Sequence, residues 1–376
     1  MNKMMKILLA AALAVTMSGA AMAGKGTSFV CAYTNDNVQG PNFAEGYKVG
    51  PQTMTAHVGP YSTNGSGIGT GFLAGGLGAT GVRQRDLYVS DGASDNITHF
   101  TINKTDCTLT LDTTLYASGD TSNLYGDGLA ITPDGRTMFV GSTGDDHIYS
   151  HTIAANGSLG APFTEASTSD APNGIEVSPD GTTLVIAYPD IHQVCAYPIS
   201  GGHLGTPNCQ STVGLAAGVS IDPASVCVYV GESNSTASEV AALTLSGGIL
   251  GAPTDYNPFG PGVNSNGILV GWDNKTIYVS NQLSAQMAIG SIASNCKLTY
   301  RAIISDGVSV DQPSQIAQGK IAHGYVVTGD YNYNGTPSMG IFRAHANGKL
   351  TPIGSGHFSL MSGAVAPQSV VVVGSE

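Results

Sequence analysis

The chain has 376 residues, of which 51 are glycine, and only 11% of its residues are charged. This composition is typical of short β-strands joined by tight turns. The formal net charge is −12, and an acidic surface of that size repels nucleic acid and anionic lipid, which argues against both as partners.

Residues 1–23 have the pattern of an export signal. Lys3 and Lys6 form a positive start, an apolar stretch too short to span a bilayer follows, and Ala21-Met22-Ala23 fits a cleavage site. We expect cleavage after Ala23, a secreted or periplasmic location and no membrane insertion. Removing the two lysines takes the formal charge from −12 to −14. The alternative is an N-terminal anchor, but no stop-transfer pattern follows.

A hairpin pattern recurs along the rest of the chain. Its clearest copy runs from Gly126 to Val140, where an alternating strand leads through Pro133-Asp134-Gly135 into a second apolar run. Proline suits the second position of a type I turn, and glycine suits its end. Copies return at Asn173, Ala217 and Asn266. Second strands follow one another about every 44 to 51 residues, which is the period of a four-stranded propeller blade.

Seven second strands can be counted in this way. They start near Phe29, Leu87, Met138, Leu184, Val228, Ile277 and Tyr325. The first has no hairpin copy before it, and residues 367–373 supply a first strand with nothing after it. Pairing these two strands would close a ring and remove its open edges. We therefore predict an all-β fold over residues 24–376, a single seven-bladed β-propeller closed by the N- and C-terminal strands.

All six cysteines lie after residue 23, and none has the C-x-x-C spacing of a zinc site. In an exported chain they can form disulfides. Cys195 and Cys209 flank a hairpin turn at residues 200–203, which places them opposite each other and predicts a disulfide. The other four could pair in three ways, or some could be buried free thiols. They are Cys31, Cys107, Cys227 and Cys296.

Two turns and two strands carry a family resemblance. The turns are Thr132–Gly135 and Ser178–Gly181, and the strands are Leu87–Ser90 and Ile277–Asn281. They resemble those of the seven-bladed β-propeller lactonase family, which includes 6-phosphogluconolactonase-like and YVTN-type repeat proteins. The resemblance covers essentially the whole chain after residue 23. It implies a propeller fold and a carboxylic-ester hydrolase that opens a lactone without a cofactor.

The family's catalytic motif is missing from this chain. The catalytic branch reads like P-R-H before an inner strand, where this chain has Pro172-Asn173-Gly174. A sugar phosphate also needs several cations converging on one point. The five arginines, all of which follow residue 23, show no such cluster. The residues therefore argue against a 6-phosphogluconolactone substrate.

In a propeller, the starts of the inner strands converge on the central channel. We predict a ligand-binding ring there, with Asp127 as a candidate catalytic carboxylate. The ring's ligand-binding residues would be Asn173, Asn266, Ser314 and Gln368. Such side chains can hydrogen-bond a sugar, a lactone or a peptide, or they can simply cap turns and bind water.

Glu176 is the sharper catalytic candidate. It lies inside a predicted inner strand, where the equivalent residues are Ala130, Ser220 and Leu269. A carboxylate at such a position is costly unless it is paired or solvated, and its environment can adapt it to general acid–base work. The alternative is a structural carboxylate that hydrogen-bonds a neighbouring blade.

A partial calcium pattern occurs at Asp330, Asn332 and Asn334, which fit the first half of a D-x-N-x-N-G loop. Position twelve would be Ile341 in place of the usual glutamate, which excludes a full loop of the EF-hand type. A weaker calcium site or no metal site remain as alternatives.

Three classes of function remain open. The first expectation is an exported propeller that binds a small molecule or glycan at the channel. The alternatives are a lactone hydrolase acting on an unphosphorylated lactone, with Glu176 or Asp127 as base, and a structural or protein-binding propeller. A large exposed apolar patch on one rim would favour the protein-binding class.

Overall fold

The computed structural model describes residues 29–36, 40–50, 54–67, 77–79, 85–119, 128–305, 312–317, 324–331, 337–360 and 369–374. The predicted export signal lies outside this part of the chain. Within it, no helix is both long and apolar enough to cross a membrane.

The described residues form seven antiparallel sheets, which are the blades of a ring. The innermost strands are β4 (Leu77–Ala79), β8 (Gly128–Ile131), β12 (Ile175–Val177), β17 (Leu215–Ile221), β22 (Ser265–Val270), β26 (Gln312–Ala317) and β30 (Val370–Gly374). The second strands are β1 (Val30–Asn35), β5 (Asp86–Asp91), β9 (Thr137–Ser142), β13 (Thr183–Tyr188), β18 (Cys227–Ser233), β23 (Thr276–Asn281) and β27 (Tyr325–Tyr331). Neighbouring inner strands contact one another around the complete circle.

The outer half of each blade follows the same order. The third strands are β2 (Gly40–Val49), β6 (Asn96–Ile102), β10 (His147–Thr152), β14 (Gln193–Ser200), β19 (Glu239–Ser246), β24 (Gln286–Ile292) and β28 (Ser338–Ala344). The outermost strands are β3 (Met54–Gly67), β7 (Leu109–Ala117), β11 (Phe163–Ser167), β15 (His203–Leu204) with β16 (Asn208–Ser211), β20 (Ile249–Leu250) with β21 (Thr254–Tyr256), β25 (Leu298–Ser305) and β29 (Leu350–Ser359). A short 3-10 helix, Gln282–Ser284, follows β23. The predicted all-β, seven-bladed fold is confirmed.

Both ends of the chain build blade 1. Its second strand β1 pairs with β2 on one side and with β30 on the other, with Ala32 opposite Val372. Blades 2 to 7 then follow in chain order from β4 to β29. The predicted closure by the terminal strands is therefore confirmed.

The recurring hairpin turn forms where the sequence predicts it. The Thr132 hydroxyl donates to the Asp134 carboxylate at 2.7 Å, and the same carboxylate accepts the backbone N–H of Arg136 at 3.1 Å. Gly135 has a φ of 67°, a left-handed conformation that glycine adopts at little cost. These contacts turn the chain from the inner strand into the second strand.

Apolar side chains pack between the faces of neighbouring blades. Between blades 4 and 5, for example, Val185 and Val194 lie in one buried cluster with Val228, Val230 and Leu243. Tyrosines at equivalent positions of three second strands add hydrogen bonds to the next blade. Tyr33, Tyr88 and Tyr278 donate to the carbonyls of Cys107, Gly157 and Gly348 at 2.8, 2.7 and 3.3 Å, respectively.

All six cysteines form disulfides. The predicted Cys195–Cys209 bond joins two strands within blade 4, where the two residues stand opposite each other in register. This prediction is confirmed. The other two bonds, Cys31–Cys107 and Cys227–Cys296, each join the start of a second strand to a turn of the next blade.

Candidate functional site

The ring has two different faces. On the loop face, inner strands begin and second strands end, whereas on the turn face tight hairpins join the first strand to the second and the third to the outer strand. Asn173 directly precedes β12 and Asn266 lies near the start of β22. Both therefore lie at the loop face, close to the central channel.

A glycine follows Asn173, and another follows Ala217 at the equivalent position of blade 5, because the inner strands pack against one another. A Cβ atom on Gly174 would lie 2.2 Å from the carbonyl oxygen of Ala217, and one on Gly218 would lie 2.4 Å from that of Asn266. The backbone of the next blade therefore occupies the space that a side chain would need. The repeated X-Gly pattern reflects close packing of the ring.

Glu176 faces the next blade. Its Oε2 accepts the backbone N–H of Ile221 at 3.1 Å. One boundary further around the ring, the hydroxyl of Ser220 accepts the backbone N–H of Val270 at 3.0 Å. Glu176 and Ser220 hold equivalent positions, so the carboxylate makes an inter-blade contact that a serine makes elsewhere. The side chain remains partly exposed.

Asn266 belongs to a cluster of amides at the loop face of blade 6. Its Nδ2 lies 3.4 Å from Oε1 of Gln282, which also accepts from Nδ2 of Asn264 at 3.2 Å. Gln282 is buried, and Asn266 is nearly so. Asn266 is therefore held by its neighbours, while Asn173 remains partly exposed.

Several predicted site residues cannot be placed. Asp127 and Gln368 lie outside the described residues, as do Asn332 and Asn334, and of Ser314 only the backbone in β26 is described. Asp330 is buried, and its carboxylate accepts from the hydroxyl of Thr328 at 2.6 Å and lies 3.0 Å from Nδ1 of His357. The described chain contains no group of three or more His, Cys, Asp or Glu residues arranged for a metal ion, and the calcium prediction stays untested.

Charge is unequally divided between the two faces. The described lysines and arginines lie in turns of the turn face or next to such turns. Arg301 lies further along its strand, but its side chain reaches toward a turn, at the carbonyl of Asn347. The lysines and arginines concerned are Lys48, Arg85, Lys104, Arg136, Lys275, Lys297, Arg301, Arg343 and Lys349. The described charged side chains at the loop face include many carboxylates and no lysine or arginine. The carboxylates include Asp91, Asp145, Asp146, Asp170, Asp190, Glu232, Glu239 and Asp330.

Apart from Asp330, sequence reasoning missed the buried carboxylates among these. Asp91 accepts hydrogen bonds from Asn42, Thr63 and Thr98 at 2.8, 2.7 and 2.9 Å. Burial raises its pKa to about 6 even though these donors favour the charged form. The signal that could have revealed such residues is positional, because Asp91 ends a strand of the L-Y-V type, as Glu232 nearly does in blade 5.

Residues 83–230 match the family described as Lactonase, 7-bladed beta-propeller. The predicted family resemblance is confirmed. No curated protein matches the chain.

Solved structures of propeller lactonases share this fold across almost the whole chain. A proposed 6-phosphogluconolactonase of Bacteroides fragilis is 16% identical with a TM-score of 0.65, covering 92% of this chain and 98% of its own. The periplasmic gluconolactonase PpgL of Pseudomonas aeruginosa is 14% identical with a TM-score of 0.66, covering 93% and 99%. At such identities the likeness shows the fold alone, and the residues must carry the argument about function.

Proposed function

We propose that the protein hydrolyses a lactone that carries no phosphate group, at the loop face of the ring. The observation that carries this proposal is the division of charge between the two faces. A phosphoryl group brings a charge of about −1.5 to −2 at neutral pH. On the loop face it would meet Asp91, Asp146, Asp170 and Asp190 with no described lysine or arginine to pair with it. An uncharged lactone avoids this repulsion.

The reaction class is supported by the match of residues 83–230 to the lactonase family. One propeller with the same fold is described as a periplasmic gluconolactonase, and that name contains no phosphate. Residues 1–23 read as an export signal and three disulfides are present, which fits an exported enzyme. Cleavage after Ala23 and a single propeller over residues 24–376 are part of this proposal.

Glu176 is the residue we assign as general base. Its carboxylate takes a proton from a water molecule, the water oxygen attacks the lactone carbonyl, and the ring C–O bond breaks. The departing ring oxygen receives the proton, so one lactone and one water yield one hydroxy acid. Asn173 supplies an amide group on the same face for the hydroxyls or carbonyl of the substrate, and Asn266, whose Nδ2 lies against Gln282, supplies its Oδ1. Asp127, Ser314 and Gln368 belong to the same ring by sequence, with Asp127 as the second carboxylate.

The test is hydrolysis of a panel of plain and phosphorylated sugar lactones by residues 24–376, followed by acid release at constant pH. We expect turnover of plain lactones and a loss of at least about 100-fold in Glu176→Gln, as for removal of a general base. Absence of turnover on every lactone would refute the proposal.

A second function, binding without turnover, is favoured by two observations. Glu176 makes the same inter-blade hydrogen bond as Ser220, and the family's P-R-H motif is replaced at Pro172-Asn173-Gly174. A loop face built in this way would bind a small molecule, a glycan or a protein segment. Saturable binding of a sugar or lactone in calorimetry, unchanged in Glu176→Gln and without hydrolysis, would establish this function.

A further inference from the structure

Two glutamates face each other at the loop face of blade 5. Glu232 lies near the end of β18 and Glu239 begins β19, and the two are directly opposite in register. Directly opposed side chains have Cβ atoms about 5 Å apart on the same face of the sheet. Both residues are only 1% exposed, so two carboxyl groups are buried side by side.

Each glutamate has one oxygen that is satisfied and one that is not. Oε1 of Glu239 accepts from the Asn257 amide, and Glu232 accepts the backbone N–H groups of Val213 and Gly214. Oε1 of Glu232 and Oε2 of Glu239 are buried and have no hydrogen-bond partner. Leaving two charged oxygens buried and unsatisfied would be costly.

Gly214 shows how tightly the two groups are packed. A Cβ atom there would lie 2.6 Å from Oε2 of Glu239 and 3.6 Å from Oε2 of Glu232. Both carboxyl groups therefore pack against the same backbone segment, which connects blades 4 and 5. A side chain at this position would force the Glu239 carboxyl group to shift.

The surrounding charges offer no compensation. Asp255 of the outer strand β21 stands opposite Ala241 of β19, two residues after Glu239, and its charge raises the pKa of Glu232. From blade 4, the nearest titratable group along the chain is His192, a partly exposed imidazole whose Nδ1 lies 3.1 Å from the carbonyl oxygen of Val213. All described lysines and arginines lie toward the turn face. With both glutamates ionised, the cluster would hold like charges out of contact with water.

We propose that Glu232 and Glu239 share one proton at neutral pH, and that losing this proton loosens the loop face beside Asn266. In the protonated pair, one carboxyl donates to the other carboxylate and satisfies both unpaired oxygens. Above neutral pH the proton passes to bulk water and two buried charges repel each other. The shared proton therefore stabilises the loop face beside Asn266.

The electrostatic surroundings of Glu232 agree with this geometry. Burial, followed by Asp255 and Glu239, raises the pKa of Glu232 to about 7, although the Val213 and Gly214 N–H groups oppose the shift. Burial and Glu239 also raise the pKa of Asp255. Both Glu239 and Asp255 therefore act on Glu232 as neighbouring like charges.

The pair is connected to the predicted ligand ring. The backbone N–H of Glu239 donates to Oγ of Ser265 at 3.0 Å, and Oγ of Ser265 lies 3.1 Å from Oδ1 of Asn281. Ser265 directly precedes Asn266 at the start of β22. A movement of Glu239 is therefore transmitted by one hydrogen bond to the start of the inner strand of blade 6.

The direction of the pH effect follows from the raised pKa. Folded Glu232, with its pKa raised to about 7, holds its proton to about pH 7, whereas an unfolded glutamate releases it near its ordinary pKa of 4.5. The stabilisation is fully present below pH 4.5 and is lost as the pH rises through 7. The shared proton thus stabilises the loop face in mildly acidic conditions, and this stabilisation is absent in alkaline ones.

The test compares residues 24–376 with the variants Glu232→Gln and Glu239→Gln. Glutamine keeps the acceptor oxygen and supplies an N–H donor in place of the carboxyl O–H. The difference infrared spectrum, wild type minus Glu232→Gln, should show a protonated-carboxyl band at pH 6 that disappears by pH 8.5. Each variant should melt about 2 to 4 °C above wild type at pH 8.5 and within about 1 °C of it at pH 5. Amide exchange of residues 233–238 should be slower in the variants at pH 8.5.

Asp91→Asn is the matched control, because Asp91 is the other buried loop-face acid with a raised pKa. The Asp91→Asn variant should still show the protonated-carboxyl infrared band assigned to Glu232 and Glu239. Absence of that band, or a melting difference that does not change with pH, would overturn the proposal. A stabilisation of wild type by calcium chloride at pH 8.5 that is absent in Glu232→Gln would also overturn it, since the partner would then be a cation. These readouts do not depend on lactone hydrolysis.

Discussion

Oε2 of Glu176 lies 3.1 Å from the backbone nitrogen of Ile221 in the next blade. Ser220 repeats this contact with Val270 one blade further on. An inter-blade hydrogen bond from this position thus occurs in blades 4 and 5. Of the equivalent residues, Ala130, Ser220 and Leu269 carry no charge, so among these positions the negative charge is specific to Glu176. The structural role and the proposed catalytic role of Glu176 can therefore be separated by substitution.

Glu176→Gln and Glu176→Ser should separate them. Glutamine retains an acceptor for the Ile221 N–H, so we expect the free energy of unfolding to change by less than about 0.5 kcal/mol. In Glu176→Ser the side chain is shorter, but it is the one that makes this contact in blade 5. Glu176→Ala removes the acceptor and should lower the free energy of unfolding by about 1 kcal/mol. Urea unfolding measures these changes. Lactone hydrolysis should fall at least about 100-fold in all three variants, and equal activity in Glu176→Gln would contradict the assignment of the base.

Gly174→Ala should destabilise the whole ring. The added methyl group would lie 2.2 Å from the Ala217 carbonyl oxygen, so the inner strands of blades 4 and 5 must separate. We expect a loss of about 3 kcal/mol in the free energy of unfolding.

Gly205→Ala in the same blade is the control for Gly174→Ala. A Cβ atom at Gly205 meets only ordinary contacts, the nearest being the Pro198 carbonyl oxygen at 3.5 Å. Its stability should stay within about 0.5 kcal/mol of wild type. Equal effects of the two substitutions would show that close packing of the inner strands does not explain the repeated glycine.

A new disulfide between blades 6 and 7 should form in the double variant Thr276→Cys/Gly348→Cys. The two positions correspond to those of Cys227 and Cys296, and a Cβ atom at Gly348 would lie 3.5 Å from that of Thr276. This distance suits a disulfide. Gly348 has a φ of 79°, near the 64° of Cys296, so cysteine is tolerated in this conformation.

The expected gain is about 2 to 4 kcal/mol in the free energy of unfolding under oxidising conditions. Mass spectrometry of an unreduced digest checks the bond, and each single variant controls for the substitution itself. Free thiols at both positions in the folded double variant would contradict the equivalence of the blade boundaries.

The fold was predictable because its signals are local and repeated. The Thr132–Gly135 turn needs only neighbouring residues, and the Cys195–Cys209 disulfide follows from folding one hairpin on itself. By contrast, Cys31–Cys107 and Cys227–Cys296 cross blade boundaries. Their pairing depends on how neighbouring blades are rotated against each other, which the hydrophobic pattern of a single blade does not contain.

The candidate site was less predictable for the same reason. The contact from Glu176 to Ile221 joins residues 45 positions apart in different blades. The pairing of Glu232 with Glu239 depends on the register across the connection between β18 and β19. Neither Glu232 nor Glu239 stands out in the sequence, because what distinguishes these residues is the neighbour that the fold places against each of them.

The most direct measurement is the ratio of kcat/KM for gluconolactone and its 6-phosphate with residues 24–376, at low and high salt. We predict a higher value for the unphosphorylated lactone and a difference that shrinks as salt screens the acidic loop face. Preference for the phosphorylated substrate would contradict the account, as would a lack of hydrolysis of either compound.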